Sequence, residues 1–291
     1  MFTKSYDIAK KFTFPLIVSI RFQSKKIESG LGAFVILNDE GWLMTAAHNF
    51  GVAFAFNQHQ KEYKEFLEKV DRINSNKEIK DHQRKIHAKA LQPNPNWITD
   101  FAILLGGNPI QIQEYYIYAE HDIAFFKVDK SVISGQTIFP KIIDPTIIKP
   151  GRSLMKLGYP FVEIKPLFNE STNSFELSSD QLSVPFFPIE GIYTRNLIKG
   201  KTDDSSMDIM FLETSSPGLK GQSGGPICDI YGNLYAIQSQ NVTLPLGFKG
   251  KTEVSNKVIE ENQFLNVGIG VHPKTIVELL KKHNIRFETA V

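Results

Sequence analysis

The sequence predicts an all-β chain folded as a barrel or a sandwich, and three observations carry that prediction. Short runs rich in Val, Ile, Phe and Tyr stand at 14–22, 32–37, 42–46, 112–118, 123–128, 153–157, 209–213, 227–230, 234–238 and 264–271, each bounded by Gly, Pro, Asn or Asp. Asp39-Glu40-Gly41 and Tyr231-Gly232-Asn233 have the composition of hairpin turns between such runs. Helical spacing interrupts the pattern at only two places, so helices do not alternate with strands as a parallel sheet requires.

Taken in order, the apolar run over 12–20 is far short of the roughly 18 residues that cross a membrane. Lys10 and Lys11 precede it as in a signal peptide, but Pro15 interrupts it, Arg21 follows, and no small-residue cleavage site comes next. It reads as a strand. Tyr63, Phe66, Leu67, Val70 and Ile73 recur at helical spacing, with Glu65/Lys69 and Glu68/Arg72 four apart on another face, so an amphipathic helix lies within 59–90. The stretch 169–182 reads as an exposed polar loop. Pro273 opens a last helix whose apolar face is Ile276, Val277, Leu279 and Leu280, and Asn284 can close it.

The 291 residues suit one large domain or two, and 42% hydrophobic with 22% charged residues excludes a disordered or fibrous chain. Lys and Arg number 33 against 31 Asp and Glu, a net charge of +2 that leaves no electrostatic footprint for nucleic acid or an anionic membrane. Cys228 is the one cysteine, so no intrachain disulfide forms, which fits a reducing compartment; a cytoplasmic location is expected. No Cys/His cluster has metal-ligand spacing, and neither metal nor cofactor is expected.

The sharpest chemical signal is Gly221-Gln222-Ser223-Gly224-Gly225-Pro226. A serine between glycines can hold a tight turn with its hydroxyl exposed, and the N–H groups of Gly221 and Ser223 can converge on one oxygen as an oxyanion hole. A serine hydroxyl is a weak nucleophile until a base takes its proton. Among the seven histidines, His59, His82, His87 and His283 lie in polar or helical surroundings and read as solvated. His48 differs, because it ends the strand Trp42-Leu43-Met44-Thr45-Ala46-Ala47 and has small residues just before it. Two acids head apolar strands and can orient an imidazole: Asp100, before Phe101-Ala102-Ile103-Leu104 and ahead of Gly106-Gly107, and Asp122, before Ile123-Ala124-Phe125-Phe126-Lys127-Val128.

Thr45-Ala46-Ala47-His48 followed far downstream by the 221–226 loop resembles the chymotrypsin/trypsin-like serine proteases, closest to the bacterial Deg/HtrA branch. The resemblance runs through nearly the whole chain. Ser29-Gly30-Leu31-Gly32-Ala33-Phe34-Val35-Ile36 is similar to the strand before the family's histidine, and Lys156-Leu157-Gly158-Tyr159-Pro160 to its glycine-proline turn. Glu190-Gly191-Ile192-Tyr193 and Phe211-Leu212-Glu213-Thr214 resemble the strands leading to the serine loop. The stretch beginning at Asp122 matches the family's pattern around its acid, which favours Asp122 over Asp100. No PDZ-like segment is expected after the last helix.

The resemblance implies an all-β chain of two antiparallel six-stranded β-barrels, with a helical insertion and a C-terminal helix. The N-terminal barrel spans 1–145, carries His48 and Asp122, and holds the insertion at about 57–95. The C-terminal barrel spans 146–272 and carries Ser223, and 273–291 is helix and tail. The implied activity is a serine endopeptidase cleaving proteins or peptides through His48, Asp122 and Ser223, with Gly221 and Ser223 as oxyanion donors. Pro217, Ser239, Gln240 and Asn241 are expected to bind substrate, with pocket walls from 237–241 and 268–272; His272, at the end of the second wall, reads as a satisfied strand-end histidine in preference to a substrate contact. Gln222 stands where digestive relatives carry an aspartate that pairs with a freed N-terminus, so that route of activation is not expected. Pro217 stands where trypsin-like enzymes carry an acid, so a small or medium apolar residue is expected before the scissile bond.

The gap between His48 and Asp122 is long for the family, and it contains the 59–73 helix. Its apolar face is expected to pack on the barrel, self-associate or dock a regulatory protein near the cleft. On that reading Phe66→Asp changes activity or oligomeric state more than melting temperature. Two rivals stand beside the endopeptidase. An α/β-hydrolase shares the Gly-x-Ser-x-Gly elbow but needs a helix after it and the chain order Ser, Asp, His. A catalytically silent or partner-gated scaffold would carry the same residues.

Overall fold

The computed structural model describes residues 1–76, 80–105, 108–178, 181, 183–254 and 257–290. Gly106 and Gly107, parts of the expected loop at 169–182 and of the helical stretch at 59–90, and the last residue of the tail lie outside them. A seven-stranded antiparallel sheet contains β1 (Thr13–Phe22), β2 (Ile27–Ile36), β3 (Trp42–Thr45), β4 (Ile98–Leu105), the stub β5 (Asn108–Pro109), β6 (Glu114–Tyr118) and β7 (Ile123–Lys127), in the order β5-β4-β1-β2-β3-β7-β6. An eight-stranded sheet follows, from β8 (Lys141–Ile143) and β9 (Ser153–Gly158), past the side hairpin β10 (Leu167–Asn169) and β11 (Ser174–Glu176), to β12 (Phe187–Lys201), β13 (Asp208–Thr214), β14 (Pro226–Cys228), β15 (Leu234–Val254), β16 (Lys257–Val271) and β17 (Glu288–Ala290). Because β14 pairs with both β9 and β15, β9-β12-β13-β16-β15-β14 closes into a barrel. β8 and β17 are added outside it by parallel pairing. The sheets therefore hold seven and eight strands where six each were expected, the surplus being these short edge additions and β5.

Period-two alternation explains why the strands carrying the site were easy to read. Phe34 and Ile36 of β2, Leu43 of β3, and Ala124 and Phe126 of β7 fill the interior of the first barrel. Their neighbours Val35, Trp42, Met44, Ile123 and Phe125 face the other way, into a core shared with Met155, Leu157, Phe211, Cys228 and Ile269 of the second barrel. Strands buried on both faces read as continuous apolar runs. The same burial fixes their register, since a one-residue slip would exchange two cores.

The helices depart most from expectation. α1 (Thr3–Phe12) precedes β1 and buries Ser5, Ala9 and Phe12, with Ser5 Oγ donating to Asp229 O at 2.6 Å. Phe2, Tyr6 and Ile8 pack against the same core as Ala9 and Phe12, so the helix is amphipathic, although it was not read from the sequence. α2 (Gly51–Ser75) starts earlier than the expected insertion, directly after a 3₁₀ turn at Ala47–Phe50, and α3 (Asp81–Ala90) follows. No α2 residue is fully buried. Tyr63 and Phe66 nevertheless pack edge-on against Trp97, and Phe56 lies 4.9 Å from Phe101. Glu62 accepts from Trp97 Nε1 at 2.7 Å, and His59 Nδ1 accepts from Ile98 N at 3.0 Å. The face thus sits on β4, with Leu67 left exposed, and His59 is engaged where a solvated histidine was expected. His283 is also engaged, stacked on Tyr116 and bonded to Tyr118 Oη.

α4 (Pro273–Lys282) is the expected C-terminal helix. His272 caps its start, its Nδ1 accepting from Lys274 N at 3.1 Å, a structural role of the kind expected for it. Left-handed Asn284 closes it: Asn284 N donates to Lys281 O and Ile285 N to Leu280 O, with Ile285 and Leu280 both in the shared core. The stretch expected as a loop at 169–182 contains β11 and the end of β10. Among the described residues no helix is long and apolar enough to cross a membrane, and no group of three His, Cys, Asp or Glu could hold a metal ion.

Candidate active site

His48 lies in the 3₁₀ turn that ends β3, and Asp122 in the turn between β6 and β7. β3 and β7 pair from Trp42↔Lys127 to Thr45↔Ala124, which brings the two ends together. The His48 backbone N donates to Asp122 Oδ1 at 3.0 Å, and the ring Nδ1 sits 3.0 and 2.9 Å from the two carboxylate oxygens. Ser239 Oγ, from β15 of the other barrel, donates to Asp122 Oδ2. Ser239 was expected to bind substrate, but its hydroxyl is committed to the acid. Asp122 has φ +50°, a left-handed conformation that Asp tolerates better than most residues. Asp100, the competing acid, pairs instead with Arg21 at 3.2 Å, away from His48.

The electrostatics favour a charged partner for the imidazole. The hydrogen bond to Asp122 raises the His48 pKa, against partial burial that lowers it. Burial pulls the Asp122 carboxyl up, but hydrogen bonds from His48 and Ser239 together outweigh it, so the group ends below its ordinary range. About half of the His48 side chain stays exposed (49%) while Asp122 is 10% exposed, so the ring faces the cleft from a buried acid.

The serine loop is docked on the first barrel by its backbone. Ala33 N donates to Ser223 O at 2.8 Å, Asn49 Nδ2 donates to the same oxygen at 3.3 Å, and Asn49 also donates to Thr45 Oγ1 at 2.9 Å. Gly224 is left-handed (φ +83°) and so close to this barrel that a Cβ would stand 2.1 Å from Thr45 Oγ1 and 2.2 Å from Ala33 O. Among the described residues, Ser223 Oγ makes no hydrogen bond to His48; such contacts are often long before substrate binds.

Gln222 N donates to Leu219 O at 2.9 Å, and Gly221 between them has φ +96°. Positive φ at the third position is the mark of a type II turn, which turns the Gly221 N–H away from the turn's own carbonyl. Neither the Gly221 nor the Ser223 N–H donates a backbone hydrogen bond among the described residues, so both remain available to an oxyanion. Gln222 is fully buried; its Oε1 accepts from Leu219 N at 2.9 Å and its Nε2 donates to Phe187 O at 3.1 Å. A neutral amide thus anchors the loop. Sequence reasoning noted what Gln222 lacks but missed this role, and it missed Asn49.

Of the other expected substrate contacts, Gln240 receives a bond from Lys199 Nζ at 3.1 Å, and Asn241 bonds both the N–H and the C=O of Gly218. Two grooves flank the centre. One of about 320 Å³ is lined by Glu28, Gly32, His48, Asn49 and Val52. Another of about 820 Å³ is lined by Leu31, Tyr159, Phe161, Ile164 and Gly221.

Residues 30–237, a stretch holding His48, Asp122 and Ser223, match the trypsin-like peptidase domain family. The chain belongs to that family. Among solved structures the fold is similar to the HtrA-type protease AlgW with a tripeptide, at 16% identity and a TM-score of 0.51, over 98% of this chain and 64% of that one. It is likewise similar to AlgW with a decapeptide, at 14% identity and a TM-score of 0.51, over 97% of this chain and 67% of that one. At this identity the likeness is one of fold, and the chain spans about two thirds of the AlgW length. No curated protein matches the sequence.

Proposed function

We propose that the chain is a serine endopeptidase acting through Ser223, His48 and Asp122. The observation that carries this reading is the buried Asp122 carboxylate on His48 Nδ1, in a site that also holds a serine loop with a left-handed Gly221. Asp122 fixes the tautomer with the proton on Nδ1, which leaves Nε2 as the base. Nε2 takes the Ser223 proton as Oγ bonds to the scissile carbonyl carbon, and the Gly221 and Ser223 amides receive the oxyanion. The imidazolium then protonates the leaving amine, and water attacks the acyl-enzyme by the same relay.

Substrate binding has support in β15. Beyond its pairing with β14, Gln238 still bonds Gly224 and Gly225 through its backbone, whereas β16 continues along the other edge past Asn241. The edge beyond Gln238 can accept an extended peptide as an added strand. Limited proteolysis in a reducing compartment belongs to the same proposal, resting on a single cysteine that can form no intrachain disulfide.

The test is covalent labelling by a fluorophosphonate together with hydrolysis of a casein-derived peptide pool. Wild type should label and cleave, and Ser223→Ala and His48→Ala should do neither. Labelling retained in Ser223→Ala would remove the serine from its assigned role.

A further inference from the structure

The Gly221 N–H assigned to the oxyanion belongs to a turn with two accessible forms. In the form present, Gly221 has φ +96° and Gln222 N donates to Leu219 O at 2.9 Å. Glycine adopts negative φ about as readily. The turn then becomes type I, with the Lys220–Gly221 peptide flipped and a carbonyl where the N–H stood. What packs on Gly221 therefore decides whether the oxyanion hole is formed.

The neighbour is the segment 158–160 at the end of β9. Tyr159 N donates to Gly221 O at 3.0 Å. A Cβ on Gly221 would stand 2.3 Å from Tyr159 O, and a Cβ on Gly158 would stand 2.7 Å from Gln222 Cα. These are contacts of backbone on backbone, so a displacement of Tyr159 passes directly to Gly221.

Tyr159 is itself held from far away in the chain. Its side chain is buried, and its Oη donates to Thr13 O at 3.0 Å. Thr13 is the corner between α1 and β1, and its own hydroxyl donates back to Ala9 O at 2.7 Å. The Tyr159 ring lies 4.8 Å from Phe186, which meets Tyr6 of α1 edge-on at 6.3 Å. Burial pushes the Tyr159 pKa up, so the phenol stays protonated and keeps donating. A continuous set of contacts thus runs from α1 through Tyr159 to the oxyanion donor.

We infer that Tyr159 is a positioning residue for the oxyanion hole, fastening the backbone beside Gly221 to the corner between α1 and β1. The inference rests on the serine endopeptidase reading above and deepens it. The Tyr159 hydroxyl, turned to Thr13, takes no part in the proton transfers. Its loss frees the 158–160 backbone, and the Gly221 N–H then points at the oxyanion only part of the time. The Ser223 N–H keeps its place, because Ala33 N and Asn49 Nδ2 hold the Ser223 carbonyl independently. The damage should therefore appear where the oxyanion forms and hardly at all in binding of the uncleaved peptide.

The experiment compares wild type with Tyr159→Phe, which keeps the ring and deletes the hydroxyl. A peptide that wild type cleaves is taken from the casein-derived pool and also made as a trifluoromethyl ketone, whose adduct with Ser223 carries an oxyanion. Binding of the peptide itself is measured on Ser223→Ala, with and without Tyr159→Phe. Complete removal of one oxyanion donor costs about 10²–10³ in kcat, so a donor present part of the time should cost at least roughly tenfold. kcat and ketone affinity should fall together by that factor, while KM and peptide binding stay within about twofold. The ratio of ketone affinity to peptide binding is the readout, because a tyrosine that only filled the core would lower the melting temperature and leave the ratio unchanged. A fall in that ratio of less than about tenfold would overturn the inference. Should Tyr159→Phe not fold, Phe186→Leu, which loosens the ring packed on Tyr159, is judged by the same ratio. Wild type that neither labels with fluorophosphonate nor cleaves removes the serine mechanism and this inference with it. Active wild type with an unchanged ratio removes the inference alone.

Discussion

Replacing Asp122 by Asn changes almost nothing except where a proton can sit. The φ of +50° is one Asn adopts readily, so the turn is unstrained. The His48 backbone N–H donates to Oδ1 at 3.0 Å and cannot reverse, so the amide oxygen of Asn must take that place. Its NH₂ then occupies the Oδ2 position, 2.9 Å from His48 Nδ1 and against Ser239 Oγ. The serine hydroxyl can rotate to accept, but Nδ1 must become an acceptor and the imidazole proton moves to Nε2. A ring protonated at Nε2 cannot take the Ser223 proton. Such a tautomer trap lowers turnover by about 10⁴-fold, or roughly 5.5 kcal/mol of barrier. Peptide hydrolysis and fluorophosphonate labelling rates measure it, with a melting curve to show the fold intact. Asp100→Asn, whose carboxylate bonds Arg21 and Thr99, is the control and should stay within about tenfold of wild type. Activity in Asp122→Asn within tenfold of wild type would refute the reasoning.

Three other substitutions or conditions probe separate links. The acid limb of kcat/KM should lie above the ordinary histidine value of 6.5, because Asp122 raises His48, and a pH–rate profile reads it directly. In stability, the raised His48 contributes fully below that value and is lost as pH rises through the folded pKa. The lowered Asp122 contributes above its ordinary 3.8 and is lost as pH falls through the folded pKa, so the pair adds most between the two; pH-dependent melting should follow. Gly224→Ala puts a methyl into Thr45 Oγ1 and Ala33 O at a left-handed residue, so about 2 kcal/mol or more of stability and most labelling should go together in melting and labelling assays. Phe66→Asp removes a ring packed 5.8 Å from Trp97, so it should lower the melting temperature by a few degrees with mass by light scattering unchanged. From the sequence, packing on the barrel, self-association and docking stayed open, and Phe66→Asp was expected to act more on activity or oligomeric state; the contact with Trp97 favours packing, which reverses that expected order of effects.

What was legible followed from burial. β2, β3 and β7 lie between two cores, so their apolar runs stood out, and His48 and Asp122 terminate such runs. The serine loop was legible because its glycines answer close backbone approaches that leave few other residue types possible. α1 was missed although Phe2, Tyr6, Ala9 and Phe12 lie on its contact face, because the reading of this region began at the apolar run from Phe12, and β15 and β16 were read short because their distal ends form a ribbon beyond the barrel. Lys156 was quoted only as part of a turn motif, since the oxygens that hold it come from 214–217, far away in the chain. Ser239 was placed in the pocket wall, while its hydroxyl turned out to serve the acid, a contact between barrels that no local pattern encodes.

The central claim, that one serine on a docked glycine loop is activated by the His48–Asp122 pair, is tested most directly by locating a fluorophosphonate adduct by peptide mass mapping. The account predicts a single adduct on the peptide containing Ser223 in wild type, and none on that peptide in His48→Ala under the same exposure. An adduct on another residue, or equal modification of Ser223 with and without His48, would contradict it.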